Sequence, residues 1–305
     1  MQQPVLSVII PCYNQARFLP QAVDSALNQT YPAVEIIVVD DGSTDNTREI
    51  ALGYGDRVKL ASQPNAGLPG ARNAGLRLAT GDYCCFLDSD DFLHPDYAAL
   101  QMAAARESPE TAVIAGESQH CDLSGEPFRG RCYLPLDGED PLHFLQRRNP
   151  WPPHAVVVRR DVVEKVGSFD PTLKSCEDWD LWMRIAGQGG SFKTITGPLA
   201  YYRRYEGSMS TFGDRMLKSS LTVLRRSRQY HPGCRICRTN IQRGATYARV
   251  NYLIAPLQEL RRQQKANGQW ASYVLSTLRL WRNHPEAILR FIEERILRRS
   301  PCRME

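Results

Sequence analysis

Continuous apolar runs, rather than alternating ones, dominate the first 115 residues and restrict the fold more than any other feature of the sequence. They lie at 5–10, 34–39, 58–61, 83–87 and 112–115. A strand that is apolar at consecutive positions must be covered on both faces, as in a parallel sheet flanked by helices. Helical patterns separate these runs, at 19–28, 45–52, 70–79 and 95–106. The sequence therefore predicts an α/β fold with a doubly wound, mostly parallel sheet.

The remaining chain divides into a less regular stretch and a basic, helical one. Between 116 and 153 glycines and prolines interrupt the pattern, which predicts loops around a short helix at 142–146. Further strands are predicted at 155–158 and 199–203, and further helices at 161–166 and 178–187. Beyond Phe212 arginine-rich helices are predicted, with one amphipathic face over 271–281 that continues at 289–296. We expect one domain over 1–213, with halves at 1–115 and 116–213, followed by a C-terminal helical extension over 214–305.

Polar residues follow three of the predicted strands. In open α/β sheets ligands bind beyond the carboxyl ends of the strands, so these residues are expected to share one rim. Carboxylates that crowd a strand end repel one another unless a cation holds them, and Mg²⁺ or Mn²⁺ prefers such oxygen ligands. A metal–diphosphate site is thus predicted, with a solvated acidic turn as the alternative. The three segments are Pro11-Cys12-Tyr13-Asn14, Asp40-Asp41-Gly42-Ser43 and Asp88-Ser89-Asp90-Asp91.

Two further features of this rim suggest a nucleotide. An aromatic ring at Tyr13 and a carboxylate at Asp41 could stack on a base and accept from its N–H groups. Arg72 follows a glycine-bearing helix entry, and a helix amino end with an arginine suits phosphate. The G-x-G-x-x-G and G-x-x-x-x-G-K-[ST] patterns do not occur, so neither a dinucleotide site nor a P-loop is predicted.

Five motifs along residues 5–210 resemble, in sequence and order, those of family 2 glycosyltransferases. They are Val8-Ile9-Ile10-Pro11-Cys12-Tyr13-Asn14, Val38-Val39-Asp40-Asp41-Gly42-Ser43, Ala71-Arg72-Asn73-Ala74-Gly75, Phe86-Leu87-Asp88-Ser89-Asp90-Asp91 and Glu177-Asp178-Trp179-Asp180-Leu181-Trp182. The resemblance implies a GT-A fold, with the catalytic domain over 1–213. It also implies a nucleotide-activated sugar donor, with UDP-sugars the most common, and transfer that inverts the anomeric centre.

The resemblance assigns donor-side roles to individual residues. Asp88 and Asp90 correspond to the D-x-D pair, with Asp90 as the direct ligand of Mn²⁺ or Mg²⁺ and Asp88 at the metal or the ribose. The nucleobase and ribose would be held by Pro11, Tyr13 and Asp41. The full set expected to bind the nucleotide is Pro11, Tyr13, Asn14, Asp41, Arg72 and Asp88.

The acceptor-side motif supplies the candidate base. Asp178 is expected to take the proton of the acceptor hydroxyl, with Glu177 as the alternative. Trp179 and Trp182 either shape an acceptor pocket or belong to the core. Members of the family often carry a histidine where this chain has Tyr205, which leaves water, Arg203 or Arg204 to compensate at the metal or diphosphate.

The overall charge of +5 conceals a strong division. Residues 1–213 hold 19 basic and 27 acidic side chains, a net of −8, whereas residues 214–305 hold 19 and 6, a net of +13. A basic amphipathic helical region predicts contact with an anionic membrane surface, with a helical appendage packed on the catalytic domain as the alternative. Nucleic acid is not an expected partner, because no nucleic-acid module is recognisable.

The remaining expectations concern location and substrates. No apolar run approaches the ~18–20 residues of a membrane span. Met1–Leu6 lacks the cationic flank and apolar run of a secretory signal, and the nine cysteines show no framework spacing. These features predict a cytoplasmic protein, peripheral on the inner face of the membrane. Cys234-Arg235-Ile236-Cys237 is a single C-x-x-C without a second pair, so the sequence predicts no zinc site.

The expected activity is transfer of a sugar to a hydroxyl of a glycan or glycolipid, as in polysaccharide or cell-envelope synthesis. A lipid-phosphate acceptor and a catalytically inactive, sugar-nucleotide-binding scaffold subunit are the alternatives.

Overall fold

The computed structural model describes residues 3–132, 135–205, 208–209 and 212–254, with isolated positions at 267, 272, 274, 275, 278 and 282. The described residues divide into two compact units, one formed by residues up to 145 together with 149–205, the other by 146–148 and the residues after 205. Apart from those isolated positions, the helices predicted at 271–281 and 289–296 lie outside the described residues.

A nine-stranded sheet forms the centre of the first unit. Its strand order is β3-β2-β1-β4-β8-β6-β9-β5, and β7 pairs with β6 outside this path. The strands are β1 (Leu6–Cys12), β2 (Val34–Asp40), β3 (Lys59–Ser62), β4 (Tyr83–Phe86), β5 (Phe92–Leu93), β6 (Val113–Cys121), β7 (Pro127–Cys132), β8 (Val156–Arg159) and β9 (Phe192–Arg203).

The strands predicted from continuous apolar runs form the parallel half of this sheet. Strand β1 lies between β2 and β4, parallel to both, and β2 pairs in parallel with β3. All seven residues of β1 are buried, because helices cover both faces. On one of these faces helix α3 (Gly67–Leu78) approaches β1 so closely that a Cβ at Gly75 would overlap Ile9 Cγ2. The predicted α/β class is confirmed.

The second half of the sheet is mixed and contains two strands that the sequence did not indicate, β5 and β7. Strand β8 is antiparallel to β4 and β6, whereas β9 runs parallel to β6. The loop predicted after residue 116 was wrong, because β6 continues to Cys121 and forms a hairpin with β7. Polar residues at 117–120 hid this strand, although most of their surface is buried. The Asp122 carboxylate closes the hairpin by accepting from the backbone N–H groups of Ser124 and Glu126.

Seven helices of the described first unit surround or extend the sheet. Most begin and end within a few residues of the predicted positions, since their apolar faces cover the sheet. They are α1 (Leu19–Leu27), α2 (Thr47–Leu52), α3, α4 (Tyr97–Glu107), α5 (Pro141–Leu145), α6 (Arg160–Lys165) and α7 (Glu177–Gly187).

The described part of the second unit is a pair of helices. Helix α8 (Gly213–Arg226) and helix α9 (Arg235–Arg249) pack against each other, and Val250–Ile254 continues α9 as a π-helical turn. Gly244 permits the close approach, because a Cβ at this position would lie 3.1 Å from Leu224 Cδ2. Within the described ranges, no helix combines the length and apolarity needed to cross a membrane.

Candidate active site

The carboxylate of Asp41 is held where β1 and β2 end side by side. The register pairs Cys12 with Asp40, and the backbone N–H of Asp41 donates to the Cys12 carbonyl at 2.8 Å. Its side chain is buried, and Oδ1 accepts from the Ala66 N–H at 2.9 Å and from Gln63 Nε2 at 2.7 Å. The loop after β3 therefore orients this carboxylate. No sequence pattern indicated the contribution of Gln63.

The other residues predicted to hold the nucleoside differ in accessibility. Tyr13 is 48% exposed, so its ring is available for stacking, whereas Pro11 is buried within β1 opposite Val39. Asn14 adopts a φ of 53°, and its side-chain oxygen accepts from the Thr44 N–H at 2.7 Å. The Asn14 side chain thus joins the loops after β1 and β2.

The acidic turn at 88–91 follows β4, as predicted, and its three carboxylates have different environments. The Tyr205 hydroxyl donates to Asp90 Oδ2 at 2.9 Å. Asp91 is completely enclosed and accepts from the Arg203 N–H at 2.6 Å. Burial and repulsion by Asp90 raise the pKa of Asp91 well above its usual value, and burial together with Asp88 raises the pKa of Asp90. The nearby Arg203 guanidinium therefore does not fully balance the negative charge of Asp90 and Asp91.

The turn has the donor atoms that a divalent cation requires. Ligand atoms of Asp88, Asp91 and His154 lie within 4.8 Å of one another, a grouping of described residues that does not include Asp90. Asp91 Oδ2 lies 3.1 Å from His154 Nδ1, yet neither atom has a hydrogen-bond partner of suitable geometry, and nor does His154 Nε2. Burial lowers the pKa of His154 to about 4, which leaves the neutral imidazole that coordinates metals. These orphaned buried atoms and the excess of carboxylates fit a divalent ion.

Arg72 connects the acidic turn to the acceptor-side motif. Its guanidinium is 1% exposed and donates to Asp88 Oδ1 and Glu177 Oε1, each at 2.5 Å. Burial disfavours its charged form, but the two carboxylates outweigh this effect and raise the Arg72 pKa. We predicted a phosphate contact from the helix entry, but in this geometry the side chain is enclosed and directed at carboxylates. The pairing with Glu177 was not predicted.

The candidate base lies beside this ion pair, at the start of α7. Asp178 is 8% exposed, and its Oδ2 accepts from Asn149 Nδ2 at 2.9 Å. Burial raises the pKa of Asp178 and of Glu177, although Arg72 opposes the effect on both. One guanidinium cannot neutralise three carboxylates, so the proton affinity of Asp178 remains high. Such a carboxylate suits general-base chemistry near neutral pH.

The two tryptophans of the motif belong to the core. Trp179 is 2% exposed and its Nε1 donates to the Leu145 carbonyl at 3.0 Å, while Trp182 is fully buried. Of the two roles that the sequence left open, the structure supports packing. Neither ring presents a surface to an acceptor, because both are enclosed in a helix that is buried on nearly all sides.

Arg203 braces the acidic turn. Its guanidinium lies over the rings of Phe18 and Phe92, with centroid distances of 4.8 and 5.4 Å, and donates to the Asp90 carbonyl oxygen. Arg203 is 1% exposed, so its guanidinium has no exposed group for the diphosphate contact that the sequence suggested. Tyr205, which replaces the family's frequent histidine, instead presents a hydroxyl to Asp90. Gln15 donates to this hydroxyl at 3.4 Å.

Comparison with known proteins agrees with this architecture. Residues 7–167 match the family described as Glycosyl transferase family 2. A chondroitin synthase of Pasteurella multocida is 46% identical over 229 residues, which are 73% of this chain and 23% of that protein. The chain spans between 31% and 64% of the length of three other curated bacterial glycosyltransferases that it matches.

Solved structures support the fold. S. aureus TarS 1-349 in complex with UDP-GlcNAc superposes with a TM-score of 0.64 at 22% identity, over 81% of this chain and 74% of that chain. The mannosyltransferase PcManGT of Pyrobaculum calidifontis, in complex with GDP-Man and Mn²⁺, gives 0.60 at 18% identity, over 96% and 85%. Both are similar to this chain in having the GT-A fold. With a family match over more than half of its residues, the chain belongs to glycosyl transferase family 2.

Proposed function

We propose that residues 1–213 transfer a sugar from a nucleoside-diphosphate sugar to a hydroxyl of a glycan or glycolipid, with inversion at the anomeric carbon. One observation carries the proposal. The buried Arg72 binds Asp88 of the acidic turn and Glu177 beside Asp178, each at 2.5 Å. The donor-side and acceptor-side carboxylates are thereby fixed on either side of the Arg72 guanidinium. This arrangement separates leaving-group chemistry from proton removal.

On the donor side, Tyr13 stacks on the nucleobase and Asp41 accepts from its N–H group. UDP-sugars are the favoured donors, supported by the UDP-GlcNAc complex of the structural neighbour TarS. Asp88, Asp90, Asp91 and His154 are the candidate holders of Mn²⁺ or Mg²⁺, with Mn²⁺ supported by the complex of the mannosyltransferase neighbour. The cation, when bound, neutralises the diphosphate as it leaves.

On the acceptor side, Asp178 receives the proton of the attacking hydroxyl. The acceptor oxygen forms a bond to the anomeric carbon as the bond from that carbon to the diphosphate oxygen breaks. The electron pair of the broken bond leaves with the nucleoside diphosphate, and the acceptor proton ends on Asp178. Asn149 orients the carboxylate, and the enclosure that raises its pKa strengthens it as a base.

A donor screen tests the proposal. UDP-, GDP- and dTDP-sugars are titrated calorimetrically into the full chain with Mn²⁺, with Mg²⁺ and with chelator, and donor hydrolysis is followed in parallel. We expect one nucleotide class to bind in a metal-dependent manner, with at least tenfold weaker affinity in chelator, and to turn over. Absence of binding by every nucleotide would refute the donor site. Binding without hydrolysis or transfer to any glycan, glycolipid or lipid-phosphate acceptor would instead favour the scaffold alternative.

We further propose that the basic region 214–305 associates with anionic membrane surfaces. The charge of +13 supports this, since each Lys or Arg near an anionic leaflet contributes ~1 kcal/mol. The full chain is therefore expected to float with phosphatidylserine vesicles at low salt and to be released at high salt. Equal flotation with neutral vesicles, or none with either type, would argue for the packed helical appendage.

A further inference from the structure

A row of four aromatic rings leads from the acidic turn to the surface of the β6–β7 hairpin. The ring of His154, beside the turn, lies 5.5 Å from the ring of Tyr202 on β9, measured between centroids. Tyr202 lies 5.5 Å from His120 on β6, and His120 lies 6.4 Å from Phe128 on β7. The row is fully buried at His154 and ends at Phe128, which is 48% exposed. One end therefore adjoins the candidate active site, and the other is accessible from solvent.

The strand register places these rings on one face of the sheet. Strands β6 and β9 pair His120 with Tyr202, so both side chains point to the same side. Arg203, the next residue of β9, points to the other side and donates to Gln21 of α1. The rings therefore lie on the face of the sheet that is opposite α1.

The candidate base lies on the same face. Helices α1 and α3 cover opposite faces of β1, because Val8 belongs to the core cluster of α1, whereas α3 closely approaches the next residue, Ile9. Arg72 extends from α3 and binds Glu177, the neighbour of Asp178. The row of rings and the acceptor-side carboxylates therefore share the face of the sheet that α3 covers.

The exposed end of the row has the chemistry that a sugar ring requires. The C–H groups of a pyranose carry partial positive charge, so they lie favourably against the negative face of an aromatic ring such as Phe128. Arg204 is exposed beside the row, and its guanidinium lies 5.7 Å from the ring centroid of Tyr202. The N–H groups of Arg204 can donate to sugar hydroxyls or to a sugar carboxylate. An apolar stacking surface and a polar donor are thus placed side by side.

We propose that Tyr202, His120 and Phe128 form a subsite for sugar units of the acceptor glycan that lie away from the reacting hydroxyl. This inference rests on the proposed transfer to a glycan. The reacting hydroxyl is at Asp178, and the rest of the glycan follows the row of rings outward, with Phe128 as the stacking ring. An acceptor of several sugars is therefore bound more tightly than a single sugar of the same kind. No bond forms or breaks at this subsite.

Binding of defined oligosaccharides to the full chain, in the absence of donor, tests the proposal. The probes are cellohexaose, chitohexaose and hexagalacturonate, which present hydroxyl, N-acetyl and carboxylate groups, together with the corresponding monosaccharides. Calorimetry should show that at least one hexasaccharide binds at least tenfold more tightly than its monosaccharide. Phe128→Ala should weaken this binding at least tenfold. Phe128→Trp should retain the binding, and its tryptophan fluorescence should change when the hexasaccharide is added.

Leu123→Ala is the matched control for Phe128→Ala. Leu123 lies in the turn of the same hairpin and is 44% exposed, but it has no aromatic ring. Its substitution should leave hexasaccharide affinity within about twofold of the native value. Equal affinity for hexasaccharide and monosaccharide in all three pairs would overturn the proposal. Unchanged binding in Phe128→Ala, or an equal loss in Leu123→Ala, would also overturn it.

A separate titration of nucleotide distinguishes this subsite from the donor site. UDP and GDP are titrated with Mn²⁺ into the native chain and into each variant, and Phe128→Ala should keep its nucleotide affinity within about twofold. A native chain that bound no nucleotide would refute the donor site, while the oligosaccharide titrations would still decide whether the row of rings binds a glycan.

Discussion

Asp178→Asn is expected to reduce sugar transfer by ~10²–10⁴-fold while nucleotide binding in the presence of metal changes less than about twofold. The substitution keeps the size of the side chain, and its oxygen can still accept from Asn149. It removes the group that receives the acceptor proton. Steady-state kinetics should show the loss in kcat, and calorimetry should show the retained donor affinity.

Asp180→Asn is the matched control for this prediction. Asp180 lies in the same turn of α7 and is similarly buried, but its partner is Arg184 on that helix, at 2.8 Å. We expect transfer within a fewfold of the native rate. Unchanged turnover in Asp178→Asn would exclude it as the base. If Glu177→Gln then abolished turnover in a chain that remained folded, Glu177 would be the base of the native protein.

Arg72→Gln is expected to destabilise the first unit by about 3–5 kcal/mol at neutral pH. Its guanidinium is buried between Asp88 and Glu177, and removing one partner of a buried ion pair leaves uncompensated charge. Glutamine can still donate a hydrogen bond, but it is uncharged and shorter than arginine, so the loss combines removal of the charge with lost packing. Urea unfolding gives the free energy. Arg77→Gln, at an exposed position of the same helix, should change it by less than about 0.5 kcal/mol.

The destabilisation should depend on pH in a defined direction. Burial already raises the pKa values of Glu177 and Asp178, and loss of Arg72 raises them further. The folded variant then binds more protons than its unfolded chain, so its stability falls as pH rises through the raised pKa values. Unfolding at about pH 8 and about pH 5.5 should show the larger deficit at pH 8. An equal deficit at both values would mean that lost packing, rather than charge, explains the effect.

The parallel half of the sheet was predictable because burial on both faces leaves an unmistakable apolar run. Strand β1 is the clearest case, with every residue enclosed. Strand β6 lacked that signal beyond Ala115, since most of its later residues are polar, although the turn that pairs it with β7 follows directly at 122–126. A two-residue strand such as β5 is below the length at which any periodicity can be detected.

The acidic residues of the site were identifiable from their positions after strands, but their pairings were not. Asp41 and Asp88 could be assigned to one rim by topology alone. That Arg72 joins Asp88 to Glu177 depends on a contact across 105 residues, which no local pattern contains. Likewise, the burial of Trp179 and Trp182 could not be separated from an acceptor-side role without the packing of α7.

The brace formed by Arg203 has a consequence for the order in which the chain acquires its structure during synthesis. Arg203 donates to Gln21, 182 positions earlier, and to the Asp90 carbonyl, 113 positions earlier. Residues 1–115 contain the whole acidic turn, yet it is not secured until the ribosome has released the end of β9. In a nascent chain the acidic turn therefore lacks this brace while residues 92–203 are synthesised, and the brace forms only as one of the last events in folding of the first unit.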